Sequence, residues 1–155
     1  MTLLKYQNYI YSTFLKSFFI VSVTFFCVIL IINTFEELRF FEKYNAEIYY
    51  SIYLSFLNAP SFLFEIFPFI FLISAKYFFL ILNDRNEIEI FKSNGISNIH
   101  IIGLLTFIST IIGILLLLVF YSISSNLKSS YLDIKNRFSN TNEYLAVVND
   151  SGLWI

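Results

Sequence analysis

Charged residues are scarce in this chain of 155 residues: they make up 14% of it, about half the share of an ordinary soluble domain. Hydrophobic residues make up 57% of the chain and aromatic residues 21%. A composition this apolar is typical of proteins that lie in a lipid bilayer. The sequence therefore predicts a membrane protein.

Cysteine and histidine each occur once, as Cys27 and His100. A single cysteine excludes a disulfide within the chain, and one residue of each type excludes a Cys/His metal cluster. No Ser/His/Asp or Cys/His arrangement falls on one side of a membrane. We therefore expect no catalytic residues, no metal site and no cofactor.

The balance of charge is also nearly even, with a formal net charge of −1. There is no glycine-rich phosphate loop and no nucleic-acid-binding motif in the sequence. We expect no nucleic-acid partner.

Three apolar runs are long enough to cross a bilayer as helices. Residues 17–35 would make an uncharged helix of roughly 28 Å. Residues 48–82 would make a helix of roughly 52 Å, which is too long for one straight crossing. Because Pro60 and Pro68 each remove a backbone donor, they are predicted as hinges, with an interfacial helix up to about Asn58 and a kinked span over 60–82. Residues 99–121 form the third predicted span, with Ser97 as its N-cap.

The segments around these runs are more polar. Residues 1–16 predict an amphipathic lead-in helix, and residues 36–47 predict a charged loop. The transmembrane region would thus cover residues 1–121, and residues 122–155 would hold a linker helix to about Phe138 and the first strands of a β domain. The strands are expected at 143–148 and at LWI, with a turn at NDSG between them. Because such a strand pair is not stable alone, either the sequence is a fragment or a sheet is supplied elsewhere.

The distribution of bases in the short loops predicts the orientation. Three spans place four bases on the side of the N-terminus: Lys5, Lys16, Arg85 and Lys92. The opposite loop carries only Arg39 and Lys43. The positive-inside tendency therefore predicts a cytoplasmic N-terminus.

The polar stretch between the second and third spans has the pattern of a short helix. Asp84 and Glu87 have the spacing of a capping box, and Gly95 supplies a stop because glycine tolerates the left-handed conformation. An amphipathic helix is predicted over about 84–94 on the cytoplasmic side. Two ion pairs are expected on its surface from their spacing, Arg85–Glu89 and Glu89–Lys92.

Two interpretations of this helix remain open. It is either a connector between the spans or a docking helix for a soluble partner. In the second case Phe91 would be the anchor, and Glu87 would be a charged contact for an arginine of the partner.

The order of these features resembles the LptF/LptG permeases of the lipopolysaccharide exporter. That family has a proline-bearing second helix, a polar turn with a glutamate, and a closing glycine followed by serine or threonine. Here the corresponding residues are Pro60 and Pro68, followed by Glu87, Gly95 and Ser97 within the stretch LILNDRNEIEIFKSNGIS. The closing NDSGLWI resembles the point at which LptG enters its periplasmic domain, so we favour LptG over LptF.

The resemblance implies an α-helical membrane protein with three transmembrane helices, a short cytoplasmic coupling helix and the start of a periplasmic β (jellyroll-like) domain. The chain would be the N-terminal half of such a permease. It further implies an ABC transporter of a Gram-negative inner membrane, in which two permeases form a cavity for lipopolysaccharide. The partners would be a cytoplasmic LptB-like ATPase, a second LptF/LptG-type permease and periplasmic LptC/LptA-like β proteins. The ATPase, and not the permease, would hydrolyse ATP.

The resemblance also implies which residues couple the permease to its ATPase. The coupling helix would correspond to about 84–94, with Glu87 at the family glutamate. The coupling candidates are Asp84, Arg85, Glu87, Ile88, Phe91, Asn94 and Gly95.

Candidate substrate contacts lie on and beyond the first span. Arg39 and Lys43 are placed to bind the phosphates of an anionic amphiphile, although headgroup anchoring or pairing with nearby glutamates explains them equally well. Candidates for contact with acyl chains are Phe25, Phe26 and Ile29.

Other functions remain open at this point. The chain is alternatively a permease of another ABC system, or a small structural or assembly membrane protein with no transport role. Glu65 and Lys76 are the charges within the second apolar segment, where an interfacial position is favoured over an ion or proton relay between them.

Overall fold

The computed structural model describes residues 3–42, 48–138, 147–149 and 152–154. Six α-helices follow one another along this part of the chain: α1 (Leu3–Glu42), α2 (Ile48–Glu65), α3 (Phe67–Asp84), α4 (Glu87–Ser93), α5 (Asn98–Leu115) and α6 (Tyr121–Phe138). A π-helical segment, Leu116–Phe120, joins α5 to α6. Strands β1 (Val147–Asn149) and β2 (Gly152–Trp154) pair antiparallel, with Val148 opposite Leu153.

Three helical runs are long and apolar enough to cross a membrane: Tyr6–Glu42, Phe67–Asp84 and Asn98–Phe138. Large apolar side chains on these runs face outward; Phe19, for example, is 70% exposed and Leu118 is 73% exposed. Water would solvate such a surface poorly, whereas lipid tails are as apolar as the side chains themselves. The prediction of a helical membrane protein is confirmed.

Helix α1 runs uninterrupted over Leu3–Glu42. We expected a separate lead-in helix, a span over 17–35 and a loop from residue 36. The loop prediction is wrong for residues 36–42, which are helical, and residues 43–47 lie outside the described residues. The physical reason is that neither glycine nor proline occurs before residue 43, so the local sequence does not interrupt the helical hydrogen bonds.

The second apolar segment breaks at Ile66 and not at Pro60. Pro60 lies inside α2, whereas Pro68 lies in the first turn of α3. Proline is favoured in a first turn because the N–H groups there have no intrahelical acceptor. The helix that we expected to end near Asn58 therefore extends to Glu65, and the predicted span over 60–82 straddles the break.

The third helical run continues well beyond the apolar residues. The predicted span over 99–121 lies within it, and α6 ends at Phe138, where the end of the helical linker was predicted. The Ser97 N-cap is confirmed, since the backbone N–H of His100 donates to the Ser97 hydroxyl oxygen at 3.4 Å. The strand predicted over 143–148 is described only from residue 147, and the residues before it lie outside the described part.

Buried residues form three clusters that succeed one another upward when the N-terminus of α1 is placed at the bottom. The lower cluster joins α1, α3 and α5 through Ile10, Phe14, Phe78, Leu82, Ile101 and Leu105. The middle cluster joins α1, α2 and α3 through Val21, Leu63, Phe67 and Ile70. The upper cluster joins α1, α2 and α6 through Phe41, Leu54, Leu57 and Tyr131. Helix α1 thus takes part in all three clusters.

Small residues on α2 set its distance from its neighbours α1 and α6. Ser51, Ser55 and Ala59 recur every four residues and are all 0% exposed. The Ser55 hydroxyl donates to the Ser51 carbonyl oxygen at 2.7 Å, so it is satisfied within its own helix. Small residues one turn apart allow helix backbones to approach closely in a membrane.

Candidate functional site

Helix α4 is the short element that connects α3 to α5. It begins at Glu87, after Asn86 in the left-handed conformation with φ of 55°. The predicted capping box at Asp84 is wrong, because α3 continues through Asp84 and the chain turns afterwards. Asparagine is one of the few residues other than glycine that adopts the left-handed conformation readily, which explains why the turn occurs at Asn86.

The end of α4 agrees with the sequence prediction. Gly95 has φ of 80°, its N–H donates to the Lys92 carbonyl oxygen at 3.0 Å, and the N–H of Ile96 donates to the Phe91 carbonyl oxygen at 2.9 Å. These are the two bonds of a Schellman motif. The prediction that Gly95 stops this helix is confirmed.

Glu87 is held by the first helix of the same chain. The Tyr9 hydroxyl donates to Glu87 Oε1 at 2.6 Å, and Arg85 Nη1 lies 3.9 Å from the same oxygen. Arg85 Nη1 also donates to the Tyr9 hydroxyl at 3.2 Å. The Glu87 side chain is 20% exposed, and its Oε2 atom is buried without a hydrogen-bond partner among the described residues. Tyr9 was not predicted, and no local pattern marks a contact 78 residues apart along the chain.

The ion pairs predicted on α4 are absent among the described residues. Arg85 lies before the first residue of α4, so the helical spacing to Glu89 does not apply to it, and it approaches Glu87 instead. Glu89 and Lys92 are both exposed and make no ion pair with each other in this part of the chain.

The side chains of α4 divide into an inward and an outward set. Ile88 and Phe91 pack against the lower cluster, so the predicted anchor Phe91 contacts its own chain. Ile90 is 55% exposed and lies between the exposed residues Glu89 and Lys92. The outward face of α4 thus presents one apolar side chain flanked by charges of both signs.

A second contact between α1 and the polar connection involves the single histidine. The Tyr6 hydroxyl and His100 Nε2 lie 2.9 Å apart, within hydrogen-bonding distance, and their rings lie 6.2 Å apart. This partner of His100 was not predicted from the sequence. Tyr6 and Tyr9 together connect the lower end of α1 to the start of α5 and to α4.

At the other end of α1, a buried polar cluster joins α1 to α6. Glu37 Oε1 accepts from Lys135 Nζ at 2.9 Å and from the Tyr131 hydroxyl at 2.7 Å. Lys135 Nζ also donates to the Tyr131 hydroxyl at 2.6 Å and lies 4.5 Å from the centre of the Phe40 ring. The side chains of Glu37 and Lys135 are 3% and 11% exposed. This cluster was not predicted, although Tyr131 and Lys135 have the spacing that places two side chains on one helix face.

The comparison with known protein families settles what kind of protein carries these features. Residues 8–155 match the family described as "Lipopolysaccharide export system permease LptF/LptG". The chain belongs to the LptF/LptG family. Membership agrees with the resemblance found in the sequence and suggests a lipopolysaccharide export permease, without distinguishing LptF from LptG. Neither a curated protein nor a solved structure matches the chain.

In this LptF/LptG-family chain, the predicted substrate residues occupy different surfaces. Arg39 is exposed and lines a groove of about 300 Å³ with apolar residues such as Phe35 and Leu38, whereas Lys43 lies outside the described residues. Among the described residues Arg39 makes no ion pair with a glutamate. The candidates for acyl chains, Phe25, Phe26 and Ile29, pack against the middle cluster of their own chain.

The charges of the second apolar segment do not meet. Glu65 Oε1 lies 3.9 Å from Lys128 Nζ on α6, while Lys76 is exposed on α3. About eleven residues of helix, or roughly 16 Å, separate Glu65 from Lys76. The geometry therefore gives no support to a relay between them. No group of histidine, cysteine and carboxylate side chains that could hold a metal ion occurs within the described residues.

Proposed function

We propose that this chain is a permease subunit of an ABC transporter that extracts lipopolysaccharide from the inner membrane and passes it toward the outer membrane. The family match carries the proposal, and the position of α4 between two membrane-crossing helices supports it. A separate cytoplasmic LptB-like ATPase would supply the energy. The permease contributes the path for the lipid and the surface that receives the ATPase.

The proposed ATPase surface is the outward face of α4. Ile90 is its exposed apolar residue, and Glu89 and Lys92 provide charges beside it. An exposed apolar side chain ringed by polar groups is the usual composition of an interface centre. Because Glu87 Oε2 is buried, an arginine of the ATPase reaches this carboxylate only after the Tyr9 contact opens or the Glu87 side chain rotates.

The orientation proposed for this chain puts α4 and the N-terminus in the cytoplasm. The short connection between α3 and α5 carries Arg85 and Lys92 at the lower end, which supports this orientation by the positive-inside tendency of short loops. The bases toward the upper end are Arg39 and, on α6, Lys128, Lys135 and Arg137, of which Lys128 and Lys135 lie beside Glu65 and Glu37. The upper ends of α1 and α6 would then face the periplasm.

The remaining parts of the proposal concern the periplasmic side and the partners. The strand pair β1–β2 would begin a jellyroll-like domain that contacts LptC/LptA-like β proteins, and the sequence NDSGLWI favours LptG over LptF. A second LptF/LptG-type permease would complete the cavity for lipopolysaccharide. Arg39 at the mouth of α1 would contact its phosphates.

The ATPase proposal is tested by affinity purification in a mild detergent from native membranes. We expect the wild-type protein to retain an ABC ATPase, identified by mass spectrometry, and Ile90→Arg to lose most of it. The reason is that burying the arginine cation in an apolar contact carries a desolvation cost. Ile123→Arg is the matched control, since Ile123 is 51% exposed on α6, far from α4. Glu87→Arg is a less specific test of ATPase docking, because it also removes the hydrogen bond from Tyr9 within this chain.

Each outcome has a definite meaning. Absence of any ABC ATPase from the wild-type preparation would overturn the transporter proposal in favour of a structural or assembly protein. Retention of the ATPase by Ile90→Arg at the level of Ile123→Arg would place its docking surface outside α4.

A further inference from the structure

Two neighbouring helical runs depart from regular α-helical hydrogen bonding at the same height. One interruption is the turn at Ile66, whose carbonyl oxygen accepts from the N–H of Phe69 at 3.0 Å, one residue closer than in an α-helix, as well as from the N–H of Ile70 at 3.1 Å. Pro68, in the first turn after it, has no N–H to donate. The other is the π-helical segment Leu116–Phe120 between α5 and α6. π-Helical turns inside α-helices are rare and occur frequently at functional positions.

The two interruptions pack directly against each other. The Phe120 ring at the end of the π-helix lies 5.5 Å from the Phe67 ring and 6.4 Å from the Phe64 ring. The Phe64 ring also lies 5.5 Å from Tyr121, the first residue of α6. Leu116 packs against the same middle cluster. Each interruption is therefore a direct neighbour of the other.

Above this level, α1, α2 and α6 are held together by a buried ion pair and by close helix packing. The buried Glu37–Lys135 ion pair joins α1 to α6 at 2.9 Å, and the buried Ser51 and Ser55 let α2 approach its neighbours closely. Opening this region would expose a buried ion pair, which is among the more costly changes in a folded protein.

Below this level, the contacts of α1 with α3, α4 and α5 are of a different kind. The lower cluster is apolar, and lipid tails can replace apolar contacts between membrane helices at little cost. Of the polar contacts at the bottom, Tyr6–His100 and Arg85–Tyr9 are exposed, and Tyr9–Glu87 is part-buried. Water can replace exposed hydrogen bonds of this kind.

We propose that α3, α4 and α5 move as one unit, the lower unit, about a hinge formed by the turn at Ile66 and the π-helix Leu116–Phe120. Helix α1 has no interruption, so it stays with α2 and α6 in the upper unit, to which the buried ion pair ties it. In the open arrangement the lower unit separates from the lower half of α1. The Tyr9–Glu87 and Tyr6–His100 contacts are then broken, and Glu87 becomes accessible.

The hinge is independent of what the protein transports, and distance measurements in the free protein test it. Spin labels are attached to cysteines that replace exposed residues, in a Cys27→Ser background reconstituted in lipid nanodiscs. The pair Ile31→Cys and Ile99→Cys crosses the hinge, with about 36 Å of helix height between the labels, and Ile31→Cys with Ile123→Cys lies within the upper unit. We expect two populations of distances across the hinge and a single population within the upper unit.

Deletion of Leu118 isolates the contribution of the hinge. A π-turn holds one residue more than an α-turn, so removing one residue there restores an α-helix. The same face of α6 then still packs against α1, and Lys135 keeps its ion pair with Glu37. Leu118 is 73% exposed, so few packing contacts are lost, and Leu118→Ala is the control of unchanged length. The deletion is expected to merge the two populations into one, and Leu118→Ala to leave them unchanged.

Pro68→Ala provides a second test that keeps the chain length and supplies the missing N–H at the other interruption. It is expected to lower the population of the open arrangement. A single narrow distance across the hinge in the unmodified protein would overturn the proposal. Two populations that persist in both the Leu118 deletion and Pro68→Ala would overturn it as well.

Discussion

At the scale of single residues, the most consequential feature is the Glu37–Tyr131–Lys135 cluster. The Oε1 atom of Glu37 accepts hydrogen bonds from Tyr131 and Lys135, while its Oε2 atom is buried without a hydrogen-bond partner among the described residues. A carboxylate in this position depends on its cation, because the desolvation cost of a buried charge is large. The cluster is therefore more sensitive to losing one member than to losing both charges together.

Substitution of Lys135 by methionine tests this dependence. Lys135→Met removes the cation and keeps a long apolar side chain, and we expect it to destabilise the protein by about 3 kcal/mol. The double variant Glu37→Met with Lys135→Met is expected to recover most of that loss because no buried charge remains. Denaturant unfolding in detergent micelles measures both variants. Equal losses in the single and double variants would contradict this explanation.

At the scale of elements, the C-terminal end of α4 depends on one glycine. Gly95 adopts φ of 80°, which any side chain beyond glycine opposes, whereas Gly103 lies inside α5 with open space around its Cβ position. The two positions thus allow a matched comparison.

Gly95→Ala is expected to cost about 1 kcal/mol and Gly103→Ala to stabilise the protein by up to about 1 kcal/mol. The first change forces a left-handed alanine, and the second removes the backbone entropy of a helical glycine. Thermal unfolding of the two variants beside the wild type provides the measurement. Stabilisation by Gly95→Ala would show that the Schellman turn is not maintained in the membrane.

The boundaries of the elements show how far sequence patterns carry. The N-cap at Ser97, the stop at Gly95 and the end of α6 near Phe138 follow from signals that act over a single helical turn. The position of the break at Ile66 does not follow from such local signals, because Pro60 and Pro68 have the same intrinsic effect on a helix. Helix α2 continues through Pro60, with Ser51, Ser55 and Ala59 buried against its neighbours, and the chain breaks beside Pro68.

At the scale of the whole molecule, the three helical runs define a lower and an upper end, and the proposed topology assigns these ends to the two sides of the membrane. Ser93 lies exposed on α4 at the lower end, and Ser129 lies exposed on α6 toward the upper end. Their equal side chains make them a suitable pair for testing the orientation.

In a Cys27→Ser background, Ser93→Cys is expected to resist a membrane-impermeant maleimide in cells with a permeabilised outer membrane and an intact inner membrane. Ser129→Cys is expected to react under the same conditions. Disruption of the inner membrane should make Ser93→Cys reactive, which serves as the control for accessibility. The reverse pattern of labelling would place α4 in the periplasm and remove it from reach of a cytoplasmic ATPase.

Sequence patterns alone predict the membrane class, the approximate positions of the apolar runs and the short helix between the second and third of them. Composition and near-neighbour patterns suffice for these, because the bilayer sets the length of an apolar run and turn residues act locally. The contacts between distant residues follow only from the packing of the helices: Tyr9 with Glu87, Lys135 with Glu37, and the turn at Ile66 with the π-helix. These contacts join residues dozens of positions apart, and helix packing in three dimensions selects them among many partners of equal local quality.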